Sequence, residues 1–295
     1  MRTTCVRLAV VLVVACSAPL VQAERLVGLV EPVTGQQALY SFSSSNSSVG
    51  VSVTLTGLAA SESLLAIDYR PLTGQLYGLS DANAIYTLDA TTGVASKVGG
   101  GFTDLLNGGN FGFDFNPVID RIRIVSDADQ NFVAHPDTGD ANVAATTAVA
   151  YAMGDVNEGV QPNVVHHAYD GNVFGTLAAA TQLRAIDTNL DVLVAQANNA
   201  GTLTTIGPLG IDAQDIGGFD VATSGRAFAA LSDGVGAVTS TLYAIDLTTG
   251  AATALGDIPH TVWGLAANPV PEPAAAALGV VGTLLCGLAR RRRHR

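Results

Sequence analysis

The segment between the two ends of the chain lacks cysteine. Of the 3 cysteines, Cys5 and Cys16 lie near the N-terminus and Cys286 near the C-terminus. Disulfide bonds and thiolate metal sites are therefore excluded from residues 24–270. The adjacent histidines, His166 and His167, would point to opposite faces of a strand, so a transition-metal site is not predicted either. We expect no cofactor, with calcium as the one alternative.

Basic residues are also scarce in this segment. Residues 24–270 carry 24 acidic and 7 basic side chains, a net charge of −17, against −11 for the whole chain. A surface of this charge repels nucleic acid and anionic lipid, so neither is expected as a partner. Of the 25 acidic residues, 20 are aspartate, many at turn positions where the side chain bonds to the backbone. Soluble acidic turns are the simplest interpretation, and binding of a multivalent cation is the alternative.

Short β-rich runs separated by turns dominate the remainder. The clearest unit covers residues 64–99, with runs at 64–69, 75–80, 84–89 and 94–98. Proline, glycine and asparagine stand in the breaks between the runs, where they favour turn conformations. The pattern predicts four antiparallel strands in one meander.

This four-strand unit recurs along the chain. The turn Asp-Ala-Thr-Thr-Gly at 89–93 returns as Asp-Leu-Thr-Thr-Gly at 246–250, and spacings of 46 to 59 residues separate the starts of the predicted third strands. These starts are Leu39, Ile85, Phe132, Leu183 and Leu242. Four-stranded repeats of about 40 to 50 residues are typical of β-propellers.

The first unit begins at Arg25 without a first strand, and an unassigned strand follows the last unit at residues 262–269. A C-terminal strand that completes the N-terminal blade would close the ring and remove an exposed sheet edge. We therefore predict an all-β domain over residues 24–269, a β-propeller of five four-stranded blades, with Trp263 packing the closing blade. The alternative is a six-bladed ring with a degenerate blade at residues 147–163.

One motif carries a resemblance to a known family. Gly-Phe-Asp-Phe-Asn-Pro-Val-Ile-Asp-Arg-Ile-Arg at 112–123, Ser-Asp at 126–127 and Pro-Asp-Thr-Gly at 136–139 resemble the central motif of a bacterial family, domain of unknown function 4394. The likeness covers most of residues 26–268. It implies an exported propeller-like domain and no established activity.

The N-terminal 23 residues have the pattern of a secretory signal peptide. Arg2 and Arg7 form a basic region, an apolar run follows at residues 8–15, and Val-Gln-Ala ends at Ala23. Signal peptidase is expected to cleave after Ala23.

The C-terminal segment, residues 270–295, has three parts in order. Pro271, Glu272 and Pro273 precede a 16-residue apolar run at 274–289 and four arginines at 290–293. As a helix the run would be about 24 Å long, marginally short for a permanent membrane span. The segment resembles the PEP-CTERM sorting signal of Gram-negative bacteria. That resemblance implies an exosortase-type membrane protease as partner, a transient inner-membrane anchor, and delivery to the cell surface or extracellular matrix.

Asp68, Asp114 and Asp220 occupy the same position in the first strands of three units. First strands line a propeller channel, so these carboxylates are predicted to form an acidic ring that could bind a cation or a polyol. Ala168 and Ala266 take this position in the other two units, so the ring would be incomplete. The alternative is that the carboxylates bond to backbone N–H groups, as buried carboxylates usually do.

A second candidate is a weak calcium site at Asp127, Asp129 and Asn131. Oxygen ligands at alternating positions begin an EF-hand loop, but Phe132 replaces its glycine and Thr138 its final glutamate. An EF-hand is excluded, and a weak surface site stays open.

No nucleophile elbow, phosphate-binding loop or zinc-protease motif is present in the sequence. We therefore expect a non-catalytic binding or structural protein of the cell surface, with exopolysaccharide as a candidate partner. The alternative is an envelope hydrolase or lyase acting on polysaccharide, with Asp114 and Asp220 as its carboxylate pair.

Overall fold

The computed structural model of the protein describes residues 23–270. The predicted signal peptide before Ala23, the motif at Pro271, Glu272 and Pro273, and the predicted membrane helix 274–289 lie outside the described residues. Within residues 23–270 the chain forms strands and turns, and no helix there is long and apolar enough to cross a membrane.

Twenty β-strands occur in residues 23–270. In chain order they are β1 (Arg25–Val33), β2 (Gln36–Ser43), β3 (Asn46–Thr54), β4 (Leu64–Arg70), β5 (Gln75–Ser80), β6 (Ala84–Leu88), β7 (Ala95–Val98), β8 (Phe111–Asn116), β9 (Arg121–Ser126), β10 (Asn131–Ala134), β11 (Ala150–Tyr151), β12 (Val164–Tyr169), β13 (Leu183–Asp187), β14 (Val192–Gln196), β15 (Thr202–Pro208), β16 (Gly217–Val221), β17 (Ala227–Ser232), β18 (Ser240–Ile245), β19 (Ala252–Ile258) and β20 (Val262–Ala267).

The strands form five sheets arranged as the blades of a β-propeller, which confirms the predicted fold. In ring order, the first blade is β20-β1-β2-β3, the second β4 to β7, the third β8 to β10, the fourth β12 to β15 with β11, and the fifth β16 to β19. The strands β20, β4, β8, β12 and β16 surround the axis. Because inner strands are covered on both faces, β8 and β12 are buried along their whole length, whereas β3 at an outer edge is mostly exposed.

The ring closes as predicted. Strand β20 pairs antiparallel with β1, with Leu26 opposite Ala267 and Gly28 opposite Leu265. The first blade therefore contains the earliest and the latest strands of the described chain. The second blade also follows the prediction closely, since its strands match the four runs within residues 64–98 to about one residue at each end.

The strand count departs from four in two blades. The third blade has three strands and the fourth has five, because β11 leaves the third blade and pairs parallel with the outer strand β15. Ala150 lies opposite Thr202 and Tyr151 opposite Leu203. Residues 147–163 therefore extend the edge of the fourth blade, and the six-bladed alternative was wrong.

The predicted third strand of the fourth blade was also wrong. Leu183 and Arg184 lie in β13, the second strand of that blade, and the third strand is β14. The connection between β12 and β13 is long, covering residues 170–182, and this insertion shifted the expected spacing.

The turn after the third strand of a blade repeats more regularly than the sequence of the strand itself. In four blades a glycine donates its N–H to the carbonyl four residues earlier: Gly93 to Asp89, Gly139 to His135, Gly201 to Ala197 and Gly250 to Asp246. At Gly93, with φ of +75°, a Cβ atom would lie 2.1 Å from the carbonyl oxygen of Thr54 in the preceding blade. A glycine is therefore favoured here because it adopts the left-handed conformation and leaves room for the backbone of the adjacent blade.

Apolar clusters fill the spaces between neighbouring blades. One cluster joins Leu26 and Val262 of the first blade to Phe228 and Leu242 of the fifth. The closing seam is thus held by packed side chains as well as by the β1–β20 hydrogen bonds.

Candidate functional site

Asp68, Asp114 and Asp220 come together at the axis of the ring. They lie at equivalent places on β4, β8 and β16, and one carboxylate oxygen of each lies within 4.8 Å of the others. All three side chains are buried. The structure thus brings this predicted set together, and we call it the axial triad.

Each member of the axial triad joins its own blade to the next one. Asp68 accepts a hydrogen bond from the backbone N–H of Phe115 in the third blade at 2.9 Å. Asp114 accepts one from Tyr169 in the fourth blade at 3.0 Å, and Asp220 accepts one from Ala267 in the first blade at 2.5 Å. In every case the donor lies one residue past the position equivalent to the aspartate.

In two blades alanine replaces the aspartate, and the same three carboxylates supply the missing hydrogen-bond acceptors. Ala168 and Ala266 offer no acceptor to the N–H groups of Val221 and Tyr69 in the blades that follow them. Asp220 accepts the Val221 N–H at 2.5 Å and Asp68 accepts the Tyr69 N–H at 2.6 Å, each within its own strand. Three carboxylates therefore bond to all five equivalent N–H groups around the axis.

Burial raises the pKa of every member of the axial triad, and neighbouring carboxylate charges add to the effect on Asp68 and Asp114. Burial, followed by the charge of Asp220, raises the pKa of Asp68 well above its usual range. Burial, followed by the charges of Asp68 and Asp220, does the same to the pKa of Asp114. Burial raises the pKa of Asp220 to about 7, and its N–H donors act in the opposite direction. The charge of Asp220 acts directly on Asp68, so we expect the pair to share a proton near neutral pH.

The axis beside the triad is nearly filled. The cavity there has a volume of about 10 Å³, room for at most one water molecule. Glycines let the inner strands meet: a Cβ on Gly218 would lie 2.2 Å from the backbone nitrogen of Leu265, and one on Gly112 would lie 2.3 Å from Nδ1 of His167. A sugar or another organic ligand cannot reach the triad along this path without separating the inner strands.

His166 and His167 are both buried at the axial end of the fourth blade. Nε2 of His166 lies 3.0 Å from the carbonyl oxygen of Gln214, and Nε2 of His167 lies 3.2 Å from that of Arg123. Burial lowers the pKa of both rings, that of His167 to about 3, with the Arg123 charge as the second cause. Both rings are therefore neutral at physiological pH.

The residues of the predicted calcium loop bond to three different sets of partners. The carboxylate of Asp127 accepts the N–H groups of Gly109 and Asn110, and that of Asp129 accepts the side-chain amide of Gln161.

The third member, Asn131, belongs to a polar contact between blades. Its Oδ1 accepts a hydrogen bond from Arg123 at 2.8 Å, and Arg123, which is buried, also donates to Oδ1 of Asn199 in the fourth blade at 2.7 Å. Calcium binding by this loop stays a prediction, and these contacts show what an ion would have to displace.

A cleft opens at the mouth of the ring where the inner strands begin. It has a volume of about 470 Å³ and is bounded by the loop before β16, the loop between β17 and β18, and Trp263. Trp263 lies in β20, the closing strand, and 37% of its surface is exposed. Trp263 lines both the axial cavity and this cleft, which we call the mouth cleft.

Sequence reasoning missed the mouth cleft because its residues come from distant segments. Asn110 precedes β8, Asp215 and Ile216 precede β16, and Ser232 ends β17. The available signal was Trp263 itself, the one tryptophan in the chain, at the start of a strand next to the axis.

Comparisons with known proteins add the family and little beyond it. No curated protein matches the sequence. The structure is similar to Kuenenia stuttgartiensis hydrazine synthase at 10% identity and a TM-score of 0.39, covering 64% of this chain and 47% of that one. The chain thus spans about half of that protein's length.

A second similar structure is a Bacteroides uniformis protein provisionally described as a 6-phosphogluconolactonase. The identity is 14% and the TM-score 0.42, with 80% of this chain and 82% of that one covered. Neither likeness carries a functional argument. The family is clear from residues 38–266, which match the profile described as domain of unknown function (DUF4394), and the chain belongs to that family.

Proposed function

We propose that this protein is an exported, non-catalytic binding protein of the cell surface or extracellular matrix. The axial triad supports the absence of catalysis. Asp114 and Asp220, the strongest candidates for a catalytic pair, are buried and bond to the backbone N–H groups of neighbouring strands. A glycosidase carboxylate must reach the scissile bond, and the axial cavity of about 10 Å³ does not admit a sugar.

The two ends of the sequence support export. The basic and apolar pattern before Ala23 fits cleavage by signal peptidase. The Pro271, Glu272 and Pro273 motif with the apolar run 274–289 fits recognition by an exosortase-type protease, after transient anchoring in the inner membrane. Exopolysaccharide is the partner that a matrix destination favours, and the net charge of residues 24–270 disfavours nucleic acid.

If the protein is instead a polysaccharide hydrolase or lyase, its active site would lie in the mouth cleft. Asp212 and Asp215 are exposed carboxylates that line it, unlike the axial triad. A catalytic role would require these two acids to lie on either side of a bound sugar chain.

Turnover measurements on residues 24–269 separate the two functions. Incubation with a panel of bacterial exopolysaccharides should release no new reducing ends and no unsaturated sugars. The control variant is Asp257→Asn, an exposed aspartate on the outer strand β19. Turnover that persists in this control and disappears in Asp212→Asn or Asp114→Asn would refute the non-catalytic proposal.

Export is tested in the native host by mass spectrometry of the mature protein. We expect an N-terminus at Glu24 and a C-terminus that lacks the apolar run. A mature chain that still carries Arg290 to Arg295 would indicate a retained anchor.

A further inference from the structure

The mouth cleft has the size of a ligand site. Its volume of about 470 Å³ lies within the range of roughly 300 to 1,000 Å³ that small-molecule sites occupy. It lies across the end of the ring, bounded by segments of the first, third and fifth blades and the loop leading into the fifth. A long ligand could enter and leave it without passing along the axis.

Two exposed apolar side chains line this cleft. Trp263 presents a partly exposed indole, and Val235 is fully exposed at the tip of the loop between β17 and β18. Gly234 and Gly236 flank Val235 with φ of 126° and 75°. The negative face of an indole attracts the weakly positive C–H groups on one face of a pyranose ring. An exposed indole beside an exposed aliphatic side chain therefore suits a ring with one apolar face.

Polar groups fill the rest of the lining. Asn110, Gln214 and Ser232 contribute amide and hydroxyl groups to the lining, and Asp212 and Asp215 contribute carboxylates; Asn110, Ser232 and Asp215 also bond within the protein. Such groups accept and donate hydrogen bonds to sugar hydroxyls. No lysine or arginine occurs among the described lining residues. Two carboxylates in a domain of net charge −17 would repel uronate or sulfated chains.

The loop that leads into β16 is held in place before any ligand binds. The Ala213 N–H donates to Oδ1 of Asp191 at 2.8 Å, and Thr188 donates its hydroxyl to Asp215 at 2.5 Å.

The carbonyl oxygen of Gln214 in this loop lies within hydrogen-bond distance of Nε2 of His166. The Ser232 N–H donates to the carbonyl of Ile216 at 2.9 Å. A preformed cleft loses less conformational entropy on binding than a mobile one.

We infer that the mouth cleft binds a neutral polysaccharide chain, with one sugar ring stacked on Trp263 and bounded by Val235. This inference rests on the proposed binding function and assigns its ligand class and its residues. The carboxylates and amides of the cleft would bond to the hydroxyls of the same ring and its neighbours.

The single tryptophan makes the test direct. Excitation of Trp263 in residues 24–269 reports on this cleft, because no other indole exists in the chain. The probes are cellohexaose, maltohexaose and chitohexaose as neutral chains, and hexagalacturonate as a charged one. We expect at least one neutral chain to change the fluorescence in a saturable manner and hexagalacturonate to leave it unchanged.

Val235→Glu is the decisive variant, and Val238→Glu is its matched control. Both valines are exposed on the same loop, but only Val235 lines the cleft, so neither change should impair folding. A glutamate at position 235 replaces the apolar contact with the sugar ring by a hydrated, charged side chain, and should weaken binding by about tenfold or more. The control should bind like the wild type.

Three results would overturn the inference. Equal binding by Val235→Glu and Val238→Glu would place the ligand elsewhere and leave the proposed binding function intact. Preference for hexagalacturonate, or absence of binding to every neutral chain at 10 mM, would refute the ligand class. Turnover of a bound chain would refute the non-catalytic function while retaining the cleft.

Discussion

Asp114 offers the sharpest test of the axial triad, because it accepts one described N–H bond where its two partners each accept two. Asp114→Ala removes the acceptor from the Tyr169 N–H, which is buried with the rest of that residue. A buried donor without a partner costs about 1 to 3 kcal/mol. We therefore expect Asp114→Ala to reduce the free energy of unfolding by about that amount.

Asp114→Asn separates the hydrogen bond from the charge. The amide oxygen can still accept the Tyr169 N–H, and the amide N–H groups would face the oxygens of Asp68 and Asp220. The substitution also removes one of three mutually repelling carboxylates. We expect Asp114→Asn to lie within about 1 kcal/mol of the wild type, an ordinary range for a substitution that retains its buried hydrogen bond.

Urea unfolding of residues 24–269, followed by Trp263 fluorescence and far-ultraviolet circular dichroism, measures both changes. Asp257→Ala on the outer strand is the control and should be neutral. The reasoning fails if Asp114→Ala is as stable as the wild type, or if Asp114→Asn is as unstable as Asp114→Ala.

Three further predictions concern pH, closure and calcium. Above pH 6.5 the folded triad still holds a proton that unfolded carboxylates have released, so the free energy of unfolding should fall as pH rises through about 7, by up to about 1.4 kcal/mol per proton and pH unit. The lowered pKa of His167 acts in the opposite direction below pH 6.5, so melting midpoints should be compared at pH 6.5 and 8.5; a midpoint that rises over this interval would contradict the assignment. Removing residues 262–269 strips the first blade of β20 and should cause aggregation on size-exclusion chromatography, whereas a monomeric, cooperatively melting product would count against closure by this strand. Because the oxygens of Asp127, Asp129 and Asn131 already accept hydrogen bonds, we expect calcium and chelator to give the same melting midpoint; a true site would add about 2.7 kcal/mol at a hundredfold excess over its dissociation constant.

The repeat pattern was sufficient to predict the ring and the meeting of the triad at its axis. Equivalent positions in a propeller face the same axis, so the alignment of Asp68, Asp114 and Asp220 in sequence carried over into space. Ring closure could also be predicted from the repeat, because the first unit lacked its first strand and an unassigned strand followed the last unit.

The fourth blade shows where the pattern failed. Leu-Arg-Ala-Ile at 183–186 resembles the third strands of the other blades, and nothing local distinguishes it from them. The contact that identifies the blade is the approach of Gly201 to residues 147 and 148 of the preceding segment. Such a contact depends on tertiary packing, which a strand-by-strand reading does not include.

The individual hydrogen-bond partners of the axial triad could not be predicted from the sequence. They join carboxylates to backbone N–H groups 47 to 55 residues away in the chain, and their geometry depends on how closely the inner strands approach. The place of Trp263 in the closing blade was predicted, but the exposure of part of its surface was not. Whether a strand residue near the axis is covered depends on loops that the period does not specify.

The pairing of β1 with β20 has a consequence for the order of folding. Bringing Leu26 beside Ala267 closes a loop of about 240 residues, against about 30 for a single blade. Three doublings of loop length add about 2 kcal/mol of entropic cost, so the seam should be the last contact to form. While the chain is being synthesised, β1 presents an unpaired edge until β20 has emerged. Only a chain complete through Ala267 can cover that edge with its own strand. Until then the chain must be bound by a chaperone, or be completed quickly, if the β1 edge is not to pair with a neighbouring chain.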